Sequence, residues 1–260
     1  MAQLATMNID TSEIEKLEIE LEYGKHLDIV DSRFPGPRYL EWLQWFHANI
    51  IPKSYLEIGI ESGKSLQYAG SQTRSVGIDP EFSVVHDQKN WTKLFRQTSD
   101  DFFASENPLA VFDSESIDLS FIDGLHTFDQ ALKDFINIER FSDTESIVLF
   151  HDIFPVIPVS AERDRNSVFW IGDTWKVLLI LRQYRPDLTI FTIPTHPSGL
   201  GVVTGLNRDS TVLSENYDQI VKQMMALKLE ELPMAIEDHL NVTQNDYYVV
   251  ARQLSGLKKQ

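Results

Sequence analysis

The sequence predicts an α/β protein built on a Rossmann-like, doubly wound sheet of seven mostly parallel strands. Three observations favour this fold. Strand-like and helical segments alternate from Ser54 onward, which is typical of a parallel sheet covered on both faces. The segment 55–65 has the pattern of a strand, a glycine turn and the start of a helix. Only the turn 194–199 separates the last two strands, so we expect one antiparallel strand.

Apolar patterns place the strands and the main helices. The strands are predicted at 54–59, 74–79, 93–97, 117–122, 146–151, 188–193 and 200–206. Helical spacing of apolar residues predicts one helix over 127–140 and another from Trp175 to Arg182, with Asp173 as the N-cap of the second. These elements together predict a sheet domain over residues 54–207.

Helical patterns flank the sheet domain on both sides. Residues 13–23 have the spacing of a short helix, and residues 38–49 are dense in Trp and Leu, which favours a buried helix. The pattern turns helical again beyond Asn207. We therefore expect an N-terminal helical cap at 1–53 and a C-terminal helical appendage at 208–260, which offer surfaces for a homo-oligomer.

Composition excludes several classes of partner. The 260 residues are 42% apolar, enough for a full core, and the formal net charge is −16. This charge disfavours nucleic acid and anionic membranes, since phosphate binding requires clustered Lys and Arg. No apolar run approaches ~18 residues and the first residues lack the blocks of a signal peptide, so we expect neither a membrane span nor export. The absence of cysteine fits a reducing, cytoplasmic environment and removes thiolate metal sites.

A glycine turn and an acidic strand end favour a nucleoside-type ligand. The first strand runs into E-x-G-x-x-x-G-x-S, from Glu57 to Ser65, and the second strand ends at Asp79, twenty residues after Gly59. A glycine turn lets a ligand approach the backbone, and a carboxylate at the next strand end can hold two ribose hydroxyls. The alternative for each residue is a purely structural turn. Glu57 would repel a pyrophosphate and attract a cationic ligand, which favours S-adenosylmethionine (SAM).

Further polar residues near these strand ends are candidates for the same ligand. Glu61 lies in the glycine turn, and Ser65 can bond either a ligand carboxylate or the local backbone. Ser99 and Asp100 follow the third strand, where they would lie beside an adenine ring or cap a helix. The ligand interpretation makes all four part of the cofactor site.

A second group of polar residues follows the fourth and fifth strands. Asp123 and His126 come after one of these strands, and His151 and Asp152 end the other. Because the carboxyl ends of parallel strands meet at one edge of a sheet, we expect these side chains to converge. Asp123, His151 and Asp152 would hold Mg or another divalent cation, and His126 would act as a general base. Asp123 can also bind the cofactor, and with His126 it is a candidate catalytic residue. The alternatives are a helix cap for His126 and, for Asp152, a cap or an ion pair with a basic group such as Arg163 or Lys176.

The segment 154–172 follows the fifth strand and would overhang this edge. It is rich in charged residues and ends at Phe169-Trp170-Ile171-Gly172. It can serve as a lid that shapes a substrate pocket, or as the packed entry of the next helix. For Trp175, just beyond it, the packed interpretation is favoured.

Residues 54–206 resemble the class I SAM-dependent methyltransferases. The resemblance is greatest to methyltransferase family 24 and more distant to the divalent-metal-dependent, catechol-type O-methyltransferases. Four segments carry it in order: 56–65, 76–79, 121–126 and 149–153.

The resemblance implies a role for each matching position. Glu57, Gly59 and Ser65 would contact the methionine end of SAM, and Asp79 would hold its ribose. Ser99 and Asp100 would lie at adenine. In metal-dependent relatives the position of Asp123 is a metal ligand, and the position of His126 holds a general base. Their fifth strand supplies an acidic or Asp-Asn pair, whereas this sequence has His151 and Asp152, so an imidazole replaces one oxygen ligand.

These observations predict methyl transfer from SAM to a hydroxyl of a small molecule, such as a sugar or a secondary metabolite, with assistance from a divalent cation. One alternative is an NAD-dependent oxidoreductase, against which stand the missing third glycine and the acid at position 57. Another is a non-catalytic SAM-binding protein whose helical appendage contacts a partner. A cofactor-bound catalyst of a different reaction also stays open.

Overall fold

A seven-stranded sheet forms the centre of the molecule. The computed structural model describes residues 11–257, and the side chains of residues 22–255. The strands are β1 (Ser54–Ile58), β2 (Arg74–Ile78), β3 (Trp91–Phe95), β4 (Leu119–Ile122), β5 (Ile147–His151), β6 (Thr189–Ile193) and β7 (Leu200–Thr204). Their order is β3-β2-β1-β4-β5-β7-β6. Only β7 runs antiparallel to its neighbours, β5 and β6, which confirms the predicted fold class.

The described helices pack on both faces of this sheet. They are α1 (Thr11–Arg33), α2 (Tyr39–Ile50), α3 (Ser99–Ser105), α4 (Pro108–Phe112), α5 (Phe128–Glu139), α6 (Lys176–Tyr184), α7 (Val212–Met225), α8 (Ile236–Leu240) and α9 (Tyr247–Leu257). None of these helices has the combination of length and apolarity that a membrane crossing requires.

Two apolar layers, one on each face, hold the helices to the sheet. On one face, α5 and α6 contribute Phe135 and Leu181 to a core that includes Leu56 of β1. On the other face, Trp42 of α2 packs with Tyr55 of β1. Because both faces of the central strands are covered, their polar ends are the places where a ligand can reach the sheet.

The predicted helix after the first strand is wrong. The chain forms only a 3-10 turn, Leu66–Tyr68, before β2 begins. The glycine at position 63 has a φ of 75°, outside the helical region, and so delays any helical turn. No helix separates β2 from β3 either, within the part of the chain described.

Two further helix predictions need correction. The first helix does not end near residue 23 but continues to Arg33, because Val30 and Phe34 extend its buried face. Asp173 does not cap α6, which begins at Lys176 without a side-chain cap. Its Oδ1 accepts instead from the backbone N–H of Phe128, 3.0 Å away, at the start of α5. Asp173 therefore caps a helix distant in sequence, which local pattern does not reveal.

Candidate active site

A cavity of about 740 Å³ opens at the carboxyl ends of β1, β2, β4 and β5. This volume is typical of small-molecule sites. Ten of the eleven predicted site residues line it: Gly59, Glu61, Ser65, Asp79, Ser99, Asp100, Asp123, His126, His151 and Asp152. The eleventh, Glu57, is not among the lining residues.

The glycine turn after β1 lines the cavity, and contacts with Asp123 and Asp79 hold its backbone in place. Gly59 has a φ of 86°, and a Cβ there would lie 2.0 Å from the carbonyl oxygen of Asp123. Asp79 Oδ2 accepts from the backbone N–H groups of Ile60 and Glu61, at 3.0 and 2.9 Å. Asp79 thus holds the turn in shape while its carboxylate faces the cavity where ribose is predicted to bind.

Glu57 lies beneath the turn and is fully buried. The Tyr55 hydroxyl donates to its Oε2 at 2.6 Å, and the Ser65 hydroxyl donates to its Oε1. Burial raises the pKa of Glu57 to about 8, although the two hydroxyl hydrogen bonds oppose the shift. Glu57 is therefore mostly a neutral acid at pH 7, and its predicted contact with the cofactor amino group stays a prediction.

A compact polar network lies at the end of the cavity near α3 and α5. The Ser99 hydroxyl donates to Asp134 Oδ1 at 2.6 Å, and Lys133 pairs with Asp100 at 2.6 Å. Gln130 and Asp134 also line the cavity, although the sequence interpretation did not select them. Both continue the helical face that begins at His126, at intervals of four residues, and this spacing was the available signal.

Two carboxylates and two imidazoles meet where β4 and β5 end. His126 Nε2 lies 3.0 Å from Asp152 Oδ2 and 3.7 Å from Asp123 Oδ1. His151 Nδ1 lies 3.1 Å from Asp123 Oδ1 and 3.4 Å from Asp152 Oδ1. The predicted convergence of these four side chains is thus present, whereas Arg163, a suggested partner of Asp152, pairs with other carboxylates.

In this cluster, burial and the neighbouring opposite charges shift the pKa values of the imidazoles and the carboxylates in opposite directions. Burial alone would lower the pKa of His126, but Asp152 and Asp123 raise it to about 9. The same carboxylates hold the pKa of His151 well above its usual range against the effect of burial. Burial would raise the pKa of Asp152, yet the two imidazoles keep it lowered. Without a cation, the imidazoles therefore carry the positive charge that the carboxylates require.

The cluster has the donor atoms of a divalent cation site. Asp123, His126 and Asp152 each offer one atom, and these three atoms lie within 4.8 Å of one another. His126 Nδ1 lies 3.2 Å from the Trp170 carbonyl oxygen, which needs an N–H donor and so leaves Nε2 free to bind a metal. The geometry brings His126 into this group in place of the predicted His151, whose Nε2 is buried without a partner among the described residues.

The end of the segment 154–172 lies beside the cluster, at the edge of the sheet that the sequence predicts it to overhang. Phe169 and Trp170 line the cavity, and the Trp170 and His126 rings lie 5.3 Å apart. Gly172 has a φ of 62°, and a Cβ there would lie 1.8 Å from the His126 carbonyl oxygen. Trp175 is buried in a small core of its own, as expected.

The remaining wall beside the cluster comes from α2 and the turn before β7. Tyr39 lines the cavity with its ring 4.3 Å from that of His151, and burial raises the pKa of its hydroxyl. Pro197 lines the same region. Sequence interpretation placed α2 in the core and missed Tyr39, because a tyrosine at the start of an apolar helix has no distinctive local signal.

Comparisons with known proteins agree with the motifs. The family model of methyltransferase family 24, described as a methyltransferase domain, matches residues 56–153. No curated protein matches the sequence significantly. Among solved structures, the chain is similar to the SAH-bound methyltransferase PaMTH1 of Podospora anserina, with 16% identity, 80% of this chain and 100% of that chain covered, and a TM-score of 0.48.

Two further solved structures have the same degree of similarity. One is the O-methyltransferase TomG of Streptomyces achromogenes, involved in tomaymycin synthesis and solved with SAM, at 15% identity, 65% and 80% coverage, and a TM-score of 0.49. The other is an O-methyltransferase of Bacillus cereus solved with SAH, at 15% identity, 77% and 93% coverage, and a TM-score of 0.46. The predicted resemblance is confirmed by the family match: residues 56–153 carry a methyltransferase domain of the family 24 type.

Proposed function

We propose that this protein is a SAM-dependent O-methyltransferase acting on a hydroxyl of a small molecule, with a divalent cation at Asp123, His126 and Asp152. The methyltransferase domain over residues 56–153 supports the reaction class. The observation that carries the choice of cofactor is the charge of the cavity wall.

Acidic side chains dominate that wall. Six carboxylates line the cavity, and Lys64 is the one Lys or Arg side chain among the described residues that does so. A pyrophosphate would meet repulsion from these groups, whereas a ligand with a sulfonium and an ammonium would be attracted. The carboxylates are Glu61, Asp79, Asp100, Asp123, Asp134 and Asp152.

The position of these groups suggests how SAM is oriented. Asp79 would hold the ribose hydroxyls, and Lys64 would meet the carboxylate of the methionine end. The adenine would then lie toward Ser99 and Asp100, beyond β2 in the strand order. The reactive methyl group would face the opposite end, where Asp123 lies.

The acceptor hydroxyl would lie between the methyl group and the cluster. A divalent cation there would lower the pKa of the hydroxyl and orient its oxygen toward the methyl group. Asp123 and Asp152 would hold the cation through oxygen, and His126 through Nε2, since Trp170 occupies its Nδ1. This ligand role excludes the predicted base role on the same nitrogen. The hydroxyl proton would therefore leave to solvent when the acceptor binds the cation, before the methyl transfer.

The rest of the site would align donor and acceptor. His151 Nδ1 faces both carboxylates and keeps them in place. Tyr39, Phe169 and Trp170 supply flat apolar surface beside the cluster and exclude water from the transfer. The sugar or secondary-metabolite acceptor stays a prediction, and so do the cytoplasmic location and a homo-oligomer.

Calorimetry followed by a turnover assay tests this function. We expect the protein to bind SAH and SAM but not NADH, and to transfer a methyl group to a member of a hydroxyl-compound panel, detected by mass spectrometry. NADH binding without SAM binding would refute the cofactor. SAM binding with no methyl transfer to any member, with Mn²⁺ present, would favour the non-catalytic alternative.

A variant separates the two roles of His126. If His126 is a cation ligand, His126→Ala should weaken Mn²⁺ binding about tenfold or more in a calorimetric titration. If it is a base, Mn²⁺ affinity should be unchanged while turnover falls. Asp113→Asn, at an exposed position outside the cavity wall, is the control for the handling of a variant protein.

A further inference from the structure

The polar network at the α5 end of the cavity contains acceptor atoms that the fold leaves unused. Asp134 is 1% exposed yet lines the cavity. Its Oδ1 accepts from the Ser99 hydroxyl at 2.6 Å and from Gln130 Nε2 at 3.0 Å. Its Oδ2 accepts no hydrogen bond from any described residue. Since this nearly inaccessible side chain lines the cavity and one of its oxygens accepts nothing from the protein, that oxygen is available to a donor group of a ligand.

The orientation of the Gln130 amide follows from its neighbours. Its Nε2 faces Ser99 Oγ at 3.2 Å, Asp100 Oδ1 at 3.3 Å and Asp134 Oδ1 at 3.0 Å. The Ser99 hydroxyl donates its hydrogen to Asp134, so its oxygen can only accept from Gln130, as the two carboxylate oxygens do. The NH₂ group must therefore point toward them, and the Gln130 carbonyl oxygen is left without a donor among the described residues.

The residues that resemblance places at adenine are already occupied. The Ser99 hydroxyl donates to Asp134, and the Asp100 carboxylate is held by Lys133 at 2.6 Å and by Gln130. Each therefore already has partners within the protein, and the Ser99 hydroxyl has no hydrogen left to donate. The oxygens of this network that accept from no described residue are Asp134 Oδ2 and the Gln130 carbonyl oxygen.

We propose that Asp134, with Gln130 beside it, is the residue that selects the 6-amino group of the purine. An exocyclic amino group carries two hydrogens and no acceptor, so it matches a site that offers acceptors only. A 6-oxo purine would place a carbonyl oxygen against the carboxylate, which is repulsive. The proposal rests on the proposed function, because it assigns an adenosine-type cofactor to this cavity.

Energetic considerations agree with this geometry. Burial raises the pKa of Asp134 to about 6, so at pH 8 the group is largely a carboxylate that lacks a full set of donors. A hydrogen bond from a neutral donor to a charged acceptor is typically stronger than one between neutral groups. Pro80 and Leu125 line the same cavity and add apolar surface for the faces of a base.

The test compares SAH with S-inosylhomocysteine, in which an oxo group replaces the 6-amino group. By calorimetry at pH 8, the wild-type protein should bind SAH about tenfold or more tightly than the inosyl analogue. Asp134→Asn keeps an acceptor for Ser99 and Gln130 and presents an amide NH₂ to the cavity. In this variant the preference should fall to about threefold or less. The surface variant Asp113→Asn should keep the wild-type preference.

The outcomes separate this proposal from the one it rests on. If wild-type protein binds neither compound, the proposed function fails and this inference fails with it. If both bind the wild type with equal affinity, the proposed function survives and this inference is wrong. A preference that persists unchanged in Asp134→Asn also overturns it. The wild-type comparison needs no variant, so it holds even where Asp134→Asn does not fold.

Discussion

Glu57→Gln tests the conclusion that the acid below the glycine turn is neutral. Glu57 is fully buried, and both of its oxygens accept from hydroxyl groups, those of Tyr55 and Ser65. Burial raises its pKa from 4.5 to about 8. Glutamine has the shape of the neutral acid but does not titrate. The difference in unfolding free energy between the two proteins therefore reports the ionisation of Glu57.

The sign and size of the effect follow from proton linkage. Between pH 4.5 and about 8, the folded protein keeps a proton on Glu57 that the unfolded chain has released. Wild-type stability therefore falls as pH rises through this interval, by up to about 1.4 kcal/mol per pH unit. Over the whole interval the loss is roughly 5 kcal/mol as an upper bound. Glu57→Gln lacks this term, so its stability relative to wild type should increase with pH and level off above 8.

Urea denaturation from pH 5 to 9 measures this difference. Glu145→Gln, at an exposed position, is the matched control and should follow wild type at every pH. A stability difference between Glu57→Gln and wild type that is constant across this range would refute the reasoning, because it would mean that Glu57 ionises alike in both states. SAH titration of the same variant then tests the predicted cofactor contact: unchanged affinity assigns Glu57 to support of the turn, and a large loss assigns it to the cofactor amino group.

Three further outcomes follow from the structure. Arg185→Met should cost about 3–5 kcal/mol in urea denaturation, because it leaves the buried Glu139 carboxylate without its ion pair, and the double variant with Glu139→Gln should recover most of this loss. Gly172→Ala should lower both stability and turnover, since its Cβ would collide with the His126 carbonyl, whereas Gly24→Ala, inside α1 and with nothing within 4 Å of its Cβ, should leave turnover unchanged and raise stability by up to about 1 kcal/mol. Exhaustive chelation should abolish methyl transfer and Mn²⁺ should restore it, and full activity after chelation would remove the cation from the proposal.

The strands were predictable because a strand that is buried on both faces requires a short run of apolar residues in the sequence. All seven predicted strands are present, and the largest displacement is in β3, which begins at Trp91 rather than residue 93. This edge strand has no fully buried residue, so its pattern is weaker. The helix expected after Gly63 is absent because this glycine has a positive φ. A glycine in the sequence does not by itself reveal which φ it adopts.

The candidate site was predictable at strand ends and much less so elsewhere. Asp79, Asp123 and Asp152 follow parallel strands, and the fold brings such residues to one edge. The partners of these residues come from segments distant in sequence, such as Tyr39 and Trp170. No local sequence pattern predicts that the Trp170 carbonyl oxygen accepts a hydrogen bond from His126 Nδ1, which leaves Nε2 as the free nitrogen of this imidazole.

Charge explains why the type of cofactor can be inferred although the acceptor cannot. Carboxylates are costly to gather in a partly buried cavity, and the pKa of Asp134, which burial raises to about 6, reflects that cost. We expect a fold to retain such an arrangement where a cationic ligand offsets its unfavourable free energy. Most of the acidic residues that line the cavity could be identified from the sequence alone. The proposed acceptor, in contrast, would meet Tyr39, Phe169 and Trp170, whose flat apolar surfaces would exclude water without distinguishing one hydroxyl compound from another. Specificity for the acceptor would therefore depend on the shape of the pocket, which forms only when α2 and the segment 154–172 pack over the sheet.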